Sequence, residues 1–345
     1  MNKPRILTGH RPTGPRHLGH LVGTLQTWAQ LQDSHECFFL VADLHVLTTN
    51  YRPEHLQDNI LNMLADWLAA GIDPNRATIV LQSIIPEHAQ LSLLLGMLTT
   101  VARLERVPTY KEQARELNLQ PSSGLLTYPV LQAADILLYK AKVVPVGEDQ
   151  LPHIELAREL ARRFNQAFGR IFPEPRALLS DAPRLPGTDN RTMHTSYGNA
   201  IFLKDSPDET TRKVMSMYTD PTRLRADDPG HVNGNPVFAL LDAFHADKSE
   251  LTELKSRYEA GRVGDVEVKQ ILAESVNAYL APLRVRRAEL HAQPRMLMEV
   301  LYSGTVKAKF EAQQTLEEAY EKMGLLHSVS ISEKALAKDI AGVFC

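Results

Sequence analysis

The sequence predicts an α/β protein, a parallel-sheet domain followed by a helical C-terminal domain, and three observations predict it. Short apolar runs begin at Ile6 (ILTG), Cys37 (CFFLVAD), Ala77 (ATIVLQ) and Val143 (VVPVG), each the length of a strand buried on both faces. The first three start about 30 to 40 residues apart, with helical stretches between them, the rhythm of βα units. After residue 205 the patterns are mostly helical.

Taken in order, the first strand covers Ile6 to Thr8 and runs into GHRPTGPRHLGH, a loop shaped by Gly9, Gly14 and two prolines. A helix then begins near Leu18 and carries Leu21, Leu25, Trp28 and Leu31 on one side. Residues 53–70 place Leu56, Ile60, Met63, Leu64, Trp67 and Leu68 on one stripe, opening with Pro53 and stopping at Gly71. A second proline-started helix follows Ile85. The gap from Ala77 to Val143 leaves room for inserted helices near 90–135, a placement that suits an interface. Within it PVLQAADILLY reads as a helix begun by Pro129, and His153 to Phe164 repeats the helical pattern through Ile154, Ala157, Leu160 and Ala161. The stretch PRLPGTDNRTMHTSYGN reads as a mobile loop over 186–199. We place a boundary near 205, giving a sheet domain over 1–204, a helical domain over 205–310 that includes a helix at 267–289, and a C-terminal helix and tail over 311–345. No internal repeat is present.

Composition excludes several classes. With 345 residues, 43% of them apolar, the chain is no disordered or fibrous protein. Its 38 Lys+Arg against 41 Asp+Glu give a net charge of −3, so it is no polycationic nucleic-acid coat, though a local basic face remains open. The two cysteines, Cys37 and Cys345, make no disulfide framework, and no Cys/His spacing suggests zinc. The segment MNKPRILTGHRPTG lacks the apolar core of a signal peptide, and no run approaches about 18 apolar residues, so no membrane span and a soluble, cytoplasmic protein are expected.

Chemistry concentrates in three places. A strand, a glycine-bearing loop and a helix start aim backbone N–H groups and a helix dipole at an anion. There Gly19 permits close approach, and His17 and His20, three apart, share a face and are able to donate to phosphate oxygens, or merely cap a surface helix. The run GEDQ at 147–150 lies where a strand ends and a helix begins, the crevice in which open parallel sheets bind ligands. Glu148 and Asp149 suit ribose hydroxyls, with acidic helix capping as the plain alternative. Asp135 sits in an otherwise apolar helix and needs a partner.

HLGH at 17–20, behind GHRPTG, resembles the HIGH signature of class I aminoacyl-tRNA synthetases of the tryptophanyl branch. So do GLLTYPVLQAADILLY from Gly124, VVPVGEDQLPHIELARELARRFN from Val143 and MYTDPTRLRADDPGHVNGNPVF from Met217, and the similarity runs from about residue 5 to 320. The resemblance implies a Rossmann-like catalytic domain, a homodimer, and ATP-dependent activation of L-tryptophan to its adenylate followed by transfer to tRNA(Trp), with Mg2+ arriving with ATP. It places Arg11, Pro12, Thr13, Gly19, His20, Gly147, Glu148, Asp149 and Leu185 at ATP, together with the loop residues Thr192, Met193, His194, Thr195 and Ser196. It assigns catalytic roles to His17, His20, Arg191 and Thr195. Thr8, His45, Tyr128, Gln132, Asp135 and Gln150 would form the tryptophan pocket. There an indole N–H donates but cannot accept, which makes a buried Asp135 a sensible reader that phenylalanine would leave unpaired. A satisfied core aspartate and a strand-end His45 are the plain alternatives. The region beyond 205 would read the anticodon, with Arg284, Arg286, Arg287 and Arg295 as its densest basic patch.

Three departures from that pattern matter. Arg11 replaces a usual glutamine, and Gln132 replaces a common methionine and is similar to tyrosyl relatives, which suggests a broadened indole pocket. TMHTS at 192–196 stands where relatives carry KMSKS, so both lysines that hold departing pyrophosphate are absent. Arg191 and His194 are the candidate substitutes, and weakened activity is expected. A paralogue that binds tryptophan or tRNA in a regulatory role, and a tyrosyl enzyme, stay open as alternatives. The tail SVSISEKALAKDIAGVFC carries no arguable function.

Overall fold

The computed structural model describes residues 3–50, 52–110, 122–180, 184–220, 223, 225 and 227–325, with Ser196 described by its backbone only. Five parallel strands form one sheet in the order β3-β2-β1-β4-β5: β1 (Arg5–His10), β2 (Glu36–Val41), β3 (Ala77–Leu81), β4 (Val143–Val146) and β5 (Arg176–Leu179). All four expected strands are present. The fifth was not legible, because RALL is a half-exposed edge segment without a continuous apolar run. Strand order reverses between β1 and β4, so a crevice opens beyond their carboxyl ends, between the loop after His10 and the turn at Gly147.

Side-chain alternation divides the core. From β2, Cys37, Phe39 and Val41 enter one apolar cluster and Phe38 and Leu40 the other. The first face is covered by α1 (Leu18–His20), a π-helical turn (Leu21–Leu25), α2 (Gln26–Leu31) and α3 (Leu56–Ala69). The π turn coincides with Thr24, whose hydroxyl donates to the His20 carbonyl at 2.7 Å and competes with the α-helical ladder. The opposite face is covered by α4 (Glu87–Gly96), α6 (Ser123–Leu138) and α7 (Leu151–Phe168), with the short α5 (Val101–Leu104) beside them.

Two helix starts differ from the expected ones. Helix α3 begins at Leu56, three residues past Pro53, because His55 adopts φ 60 and breaks the first turn. Helix α6 begins at Ser123, where the Ser122 hydroxyl accepts the Leu125 N–H at 3.1 Å, and Pro129 lies inside the helix. The serine cap outweighs the proline signal.

Helices α8 (Pro207–Met215), α9 (Pro236–Phe244), α10 (Lys248–Glu259), α11 (Asp265–His291) and α12 (Pro294–Met323) follow. Phe238, Leu272, Val276 and Leu280 share one apolar cluster with Trp28, Met63 and Trp67, so the core is continuous across residue 205. Helix α12 lies along the edge strand β3. A Cβ on Gly304 would sit 2.2 Å from the Ile79 carbonyl oxygen, and the Thr305 hydroxyl accepts the Leu81 N–H at 3.0 Å, which closes that edge. Among the described residues no helix is long and apolar enough to cross a membrane.

Candidate active site

The loop after β1 turns at Gly14, whose φ of +143 only glycine adopts without strain, and delivers Arg16 and His17 to the start of α1. Arg16 is buried. Its Nη2 donates to the carbonyls of Gly14 at 2.7 Å and Arg11 at 3.3 Å, and its backbone N–H donates to Asp66 of α3 at 2.9 Å. The His17 N–H donates to Nδ1 of His20 at 3.3 Å, with the two rings 3.8 Å apart, and Gly19 sits against the His17 ring. His10 stacks on Trp28 at 4.5 Å, accepts the Trp67 indole N–H on Nδ1 at 3.3 Å and meets the Thr24 hydroxyl at 3.3 Å through Nε2. Pro12 is buried, whereas Arg11 and Thr13 are exposed. Burial, reinforced by the charge of Arg16, pushes His17 down to about 3 and holds His10 and His20 well below the usual histidine range. These imidazoles are neutral around pH 7, and the Nδ1 of His17 and the Nε of Arg16 are buried without a partner.

Across from them lies the loop 186–199. Met193 and Leu185 are buried and joined by a 3.2 Å backbone bond, Pro186 bridges Thr192, and the methyl of Thr195 comes within 3.7 Å of the Cβ position at Gly14. Asn199 ties the loop. Its amide donates to Asp189 at 2.7 Å and to the Thr192 carbonyl at 3.1 Å, while its oxygen accepts the His194 N–H at 2.9 Å. Hydrogen bonds from Asn199 and Arg191 hold the Asp189 carboxyl down at about 2. Arg191, the expected substitute cation, is paired within the loop. Its Nε and Nη2 lie 2.7 and 2.6 Å from Asp189, and its guanidinium covers the Tyr197 ring at 5.0 Å, so its charge is neutralised within the loop. Ser196 falls outside what is described of side chains.

The third wall is the expected amino-acid pocket. Asp135 is 2% exposed and accepts from His45 Nε2 at 2.8 Å, His88 Nδ1 at 2.7 Å and the Gln82 amide at 2.9 and 3.0 Å. Burial alone would raise its pKa. The donors from His45 and His88 outweigh that and keep it below the ordinary carboxylate range. The partner that Asp135 needs is thus supplied by three protein groups, with two contacts on each oxygen. The Thr8 hydroxyl is likewise used, donating to the Pro145 carbonyl at 2.8 Å.

Beside this network runs a second. Burial pushes His153 down to about 4 and keeps it neutral, so its Nδ1–H donates to Gln132 Oε1 at 2.5 Å and its Nε2 accepts from Thr109 at 2.7 Å. Thr109 in turn meets the Tyr128 hydroxyl at 2.6 Å, and the Gln132 amide donates to Gln150 at 3.4 Å. Gln150 donates to Asp149 at 2.6 Å, while Glu148 and Asp149 are exposed beyond Gly147, with Arg184 3.7 Å from Asp149. Gln132, Gln150, Tyr128, His45 and Asp135 thus come together as expected. Gln82, His88, Thr109 and His153 were missed, because His88 meets Asp135 across 47 positions of sequence with no motif joining them.

The basic patch divides. Arg287 donates to Asp66 at 2.5 Å and Asn62 at 2.7 Å, and Arg284 donates to Asn277 and Thr210 at 2.8 and 2.7 Å. The expectation that all four arginines face RNA is corrected for these two, whose guanidinium groups are bonded within the protein. Arg286 and Arg295 are exposed.

Comparison with known proteins identifies the family. Residues 1–281 match the family model described as tRNA synthetases class I (W and Y). A tryptophan–tRNA ligase from Treponema pallidum is 52% identical over 326 residues, covering 93% of this chain and 97% of that protein, and one from Aquifex aeolicus is 41% identical over 93% of this chain and all of its own. The crystal structure of tryptophanyl-tRNA synthetase from Campylobacter jejuni complexed with ADP and tryptophan superposes with a TM-score of 0.84 at 37% identity, over 93% of this chain and 100% of that one. A tyrosyl-tRNA synthetase from Archaeoglobus fulgidus matches less well, with a TM-score of 0.65 at 26% identity over 83% of this chain and 90% of its own. On the match over most of its length, this chain belongs to the class I tRNA synthetases of the W and Y family.

Proposed function

We propose that the chain is a tryptophan–tRNA ligase, activating L-tryptophan with ATP and passing it to tRNA(Trp). The observation that carries this is the meeting of a helix start bearing neutral His17 and His20 with a polar pocket around Asp135 across one sheet crevice. In-line attack of the amino-acid carboxylate on the α-phosphorus needs positioning and donors rather than a covalent intermediate. His17, His20 and the N–H groups of α1 supply donors to the phosphates. Glu148 and Asp149 are the acceptors for ribose, and the loop 186–199 covers the nucleotide. Magnesium would arrive on the phosphates of ATP, neutralising their charge during transfer.

Asp135 reads the indole N–H by exchanging one of its present donors, and His45, beside Tyr128 with ring centroids 6.3 Å apart, is the one that gives way. Arg286 and Arg295 are the phosphate contacts for tRNA. The protein works in the cytoplasm as a homodimer, with the exposed Leu93 of α4, Met97 just past its end and Val101 of α5 covered by the second copy. Near-full-length similarity to tryptophan–tRNA ligases favours tryptophan over tyrosine and an active ligase over a silent paralogue.

ATP–pyrophosphate exchange tests the reading. Exchange is expected with tryptophan and not with tyrosine; tyrosine preference, or no exchange with either, overturns it.

A further inference from the structure

Helix α12 is apolar on two sides. On its inner side Leu297, Leu301, Ala308 and Ala312 are buried, and the Thr305 hydroxyl bonds β3. On its outer side Met298, Tyr302, Val306 and Phe310 follow one another at intervals of four and are 46, 61, 52 and 61% exposed. Single exposed apolar residues are ordinary on a protein surface. A row of four large ones on successive turns of one helix is a face that something covers.

The chain that follows fits this row. Helix α12 ends at Gly324, whose φ is 70; its N–H donates to the Glu321 carbonyl and the Leu325 N–H to the Tyr320 carbonyl, a cap that turns the chain away from the helix. Beyond it, outside the described residues and past the stretch that resembles the tryptophanyl branch, comes LHSVSISEKALAKDIAGVFC at 326–345. Its spacing is helical. Ser330 and Glu333 stand three apart as a capping box, and Leu336, Ile340 and Phe344 recur at intervals of four. On such a helix Glu333 and Asp339 border the apolar row on its two flanks, and Lys334 and Lys338 lie on the far side.

We propose that residues 330–344 form a helix that runs back along α12 of the same chain and seats Leu336, Ile340 and Phe344 on the row from Phe310 to Tyr302. Rows spaced by four are the ridges and grooves by which helices interlock. The charges agree, because Lys307 and Lys309 border the row on α12 and meet the acidic flanks of the tail. With Leu336 over Phe310, Asp339 comes beside Lys307. The reach is sufficient as well. That register puts Ser330 about 12 Å back along α12 from Gly324 and about 9 Å to its side. Residues 325–329 span this with slack at about 3.3 Å each. A tethered segment also meets its own chain at an effective concentration of about millimolar, which favours it over a second copy. The tail thereby straps the helix that closes the β3 edge.

The test compares the full chain with one ended after Leu325, using bis-ANS, a dye that fluoresces on exposed apolar surface. Removal of the tail should raise the fluorescence per chain about threefold. Leu336→Asp with Ile340→Asp in the full chain should do the same. In the shortened chain, Tyr302→Lys with Phe310→Lys should return the signal to the full-chain level, which an unfolded sample would not do. Equal fluorescence with and without the tail overturns the proposal. A gain that survives the two lysine substitutions also overturns it, since the tail then covers another surface. Full-chain fluorescence that rises on dilution does so too, because a second copy then holds the row.

Discussion

The two ends of the crevice are built on opposite terms. At the end proposed for the amino acid, Asp135 takes four donor contacts and His153 passes a directed chain from Thr109 to Gln132. At the phosphate end the buried Nε of Arg16 and Nδ1 of His17 wait without partners, beside histidines held neutral. A saturated pocket selects its guest by what must be displaced, whereas an unsatisfied one attracts any group that supplies the missing charge. On the proposed function, the contrast puts specificity at one end and binding strength at the other.

Acid gives the largest separation between them. His10, His17, His20 and His153 are kept neutral in the folded protein and gain protons on unfolding near pH 6.5. Because the unfolded chain binds more protons below that value, stability is full above it and is lost as pH falls. The loss reaches about 2 kcal/mol per histidine at pH 5 and levels off for His153 near 4, where the folded form itself takes a proton. Thermal unfolding of the empty protein between pH 7 and 5 checks this, and a flat midpoint over that interval refutes the neutral histidines. The Asp135 carboxylate does not contribute to the slope, because it stays ionised well below this range.

Next in size is Asp135→Ala. It leaves the donors of His45, His88 and Gln82 buried and unmatched, so a loss of about 3 to 5 kcal/mol is expected in urea unfolding. Asp135→Asn keeps the shape and one acceptor and should unfold at higher urea, yet still raise the tryptophan Kd far more than the ATP Kd. An equal change in both would make the residue structural alone.

How much of this was readable beforehand varies with the range of the interaction that decides it. Four of the five strands, the helix at 56–69 and the loop that joins Gly14 to His17 declare themselves through local apolar period and turn residues. The strand at 176–179 does not, because RALL is half-exposed and carries no continuous apolar run. Asp135 was legible as a carboxylate in want of a partner, but its partners were not, since Gln82 and His88 lie 53 and 47 positions away. Likewise the pairing of Arg191 with Asp189, two residues apart, turned on loop geometry that Asn199 imposes from position 199. Residue type announced the chemistry, and topology decided which groups were already spent.

The smallest effects test the same contrast at the surface of α11. Arg287 and Arg286 are neighbours, but the first spans to Asp66, a fully buried carboxylate, while the second faces solvent. Arg287→Ala strands that buried charge, so a loss of about 3 kcal/mol is expected. Asp66 also accepts the Arg16 backbone N–H, and therefore the ATP KM should rise with tryptophan KM little changed. Arg286→Ala should alter unfolding by less than about 0.5 kcal/mol. Its effect belongs to RNA, a weaker tRNA affinity whose salt dependence falls by about one unit of log–log slope, as for one lost phosphate contact. Filter binding across a salt series separates the two. Identical salt slopes for Arg286→Ala and the unmutated protein would remove that residue from the tRNA face, whereas a reduced slope for Arg287→Ala in a fully folded sample would show that the bond to Asp66 opens when RNA docks.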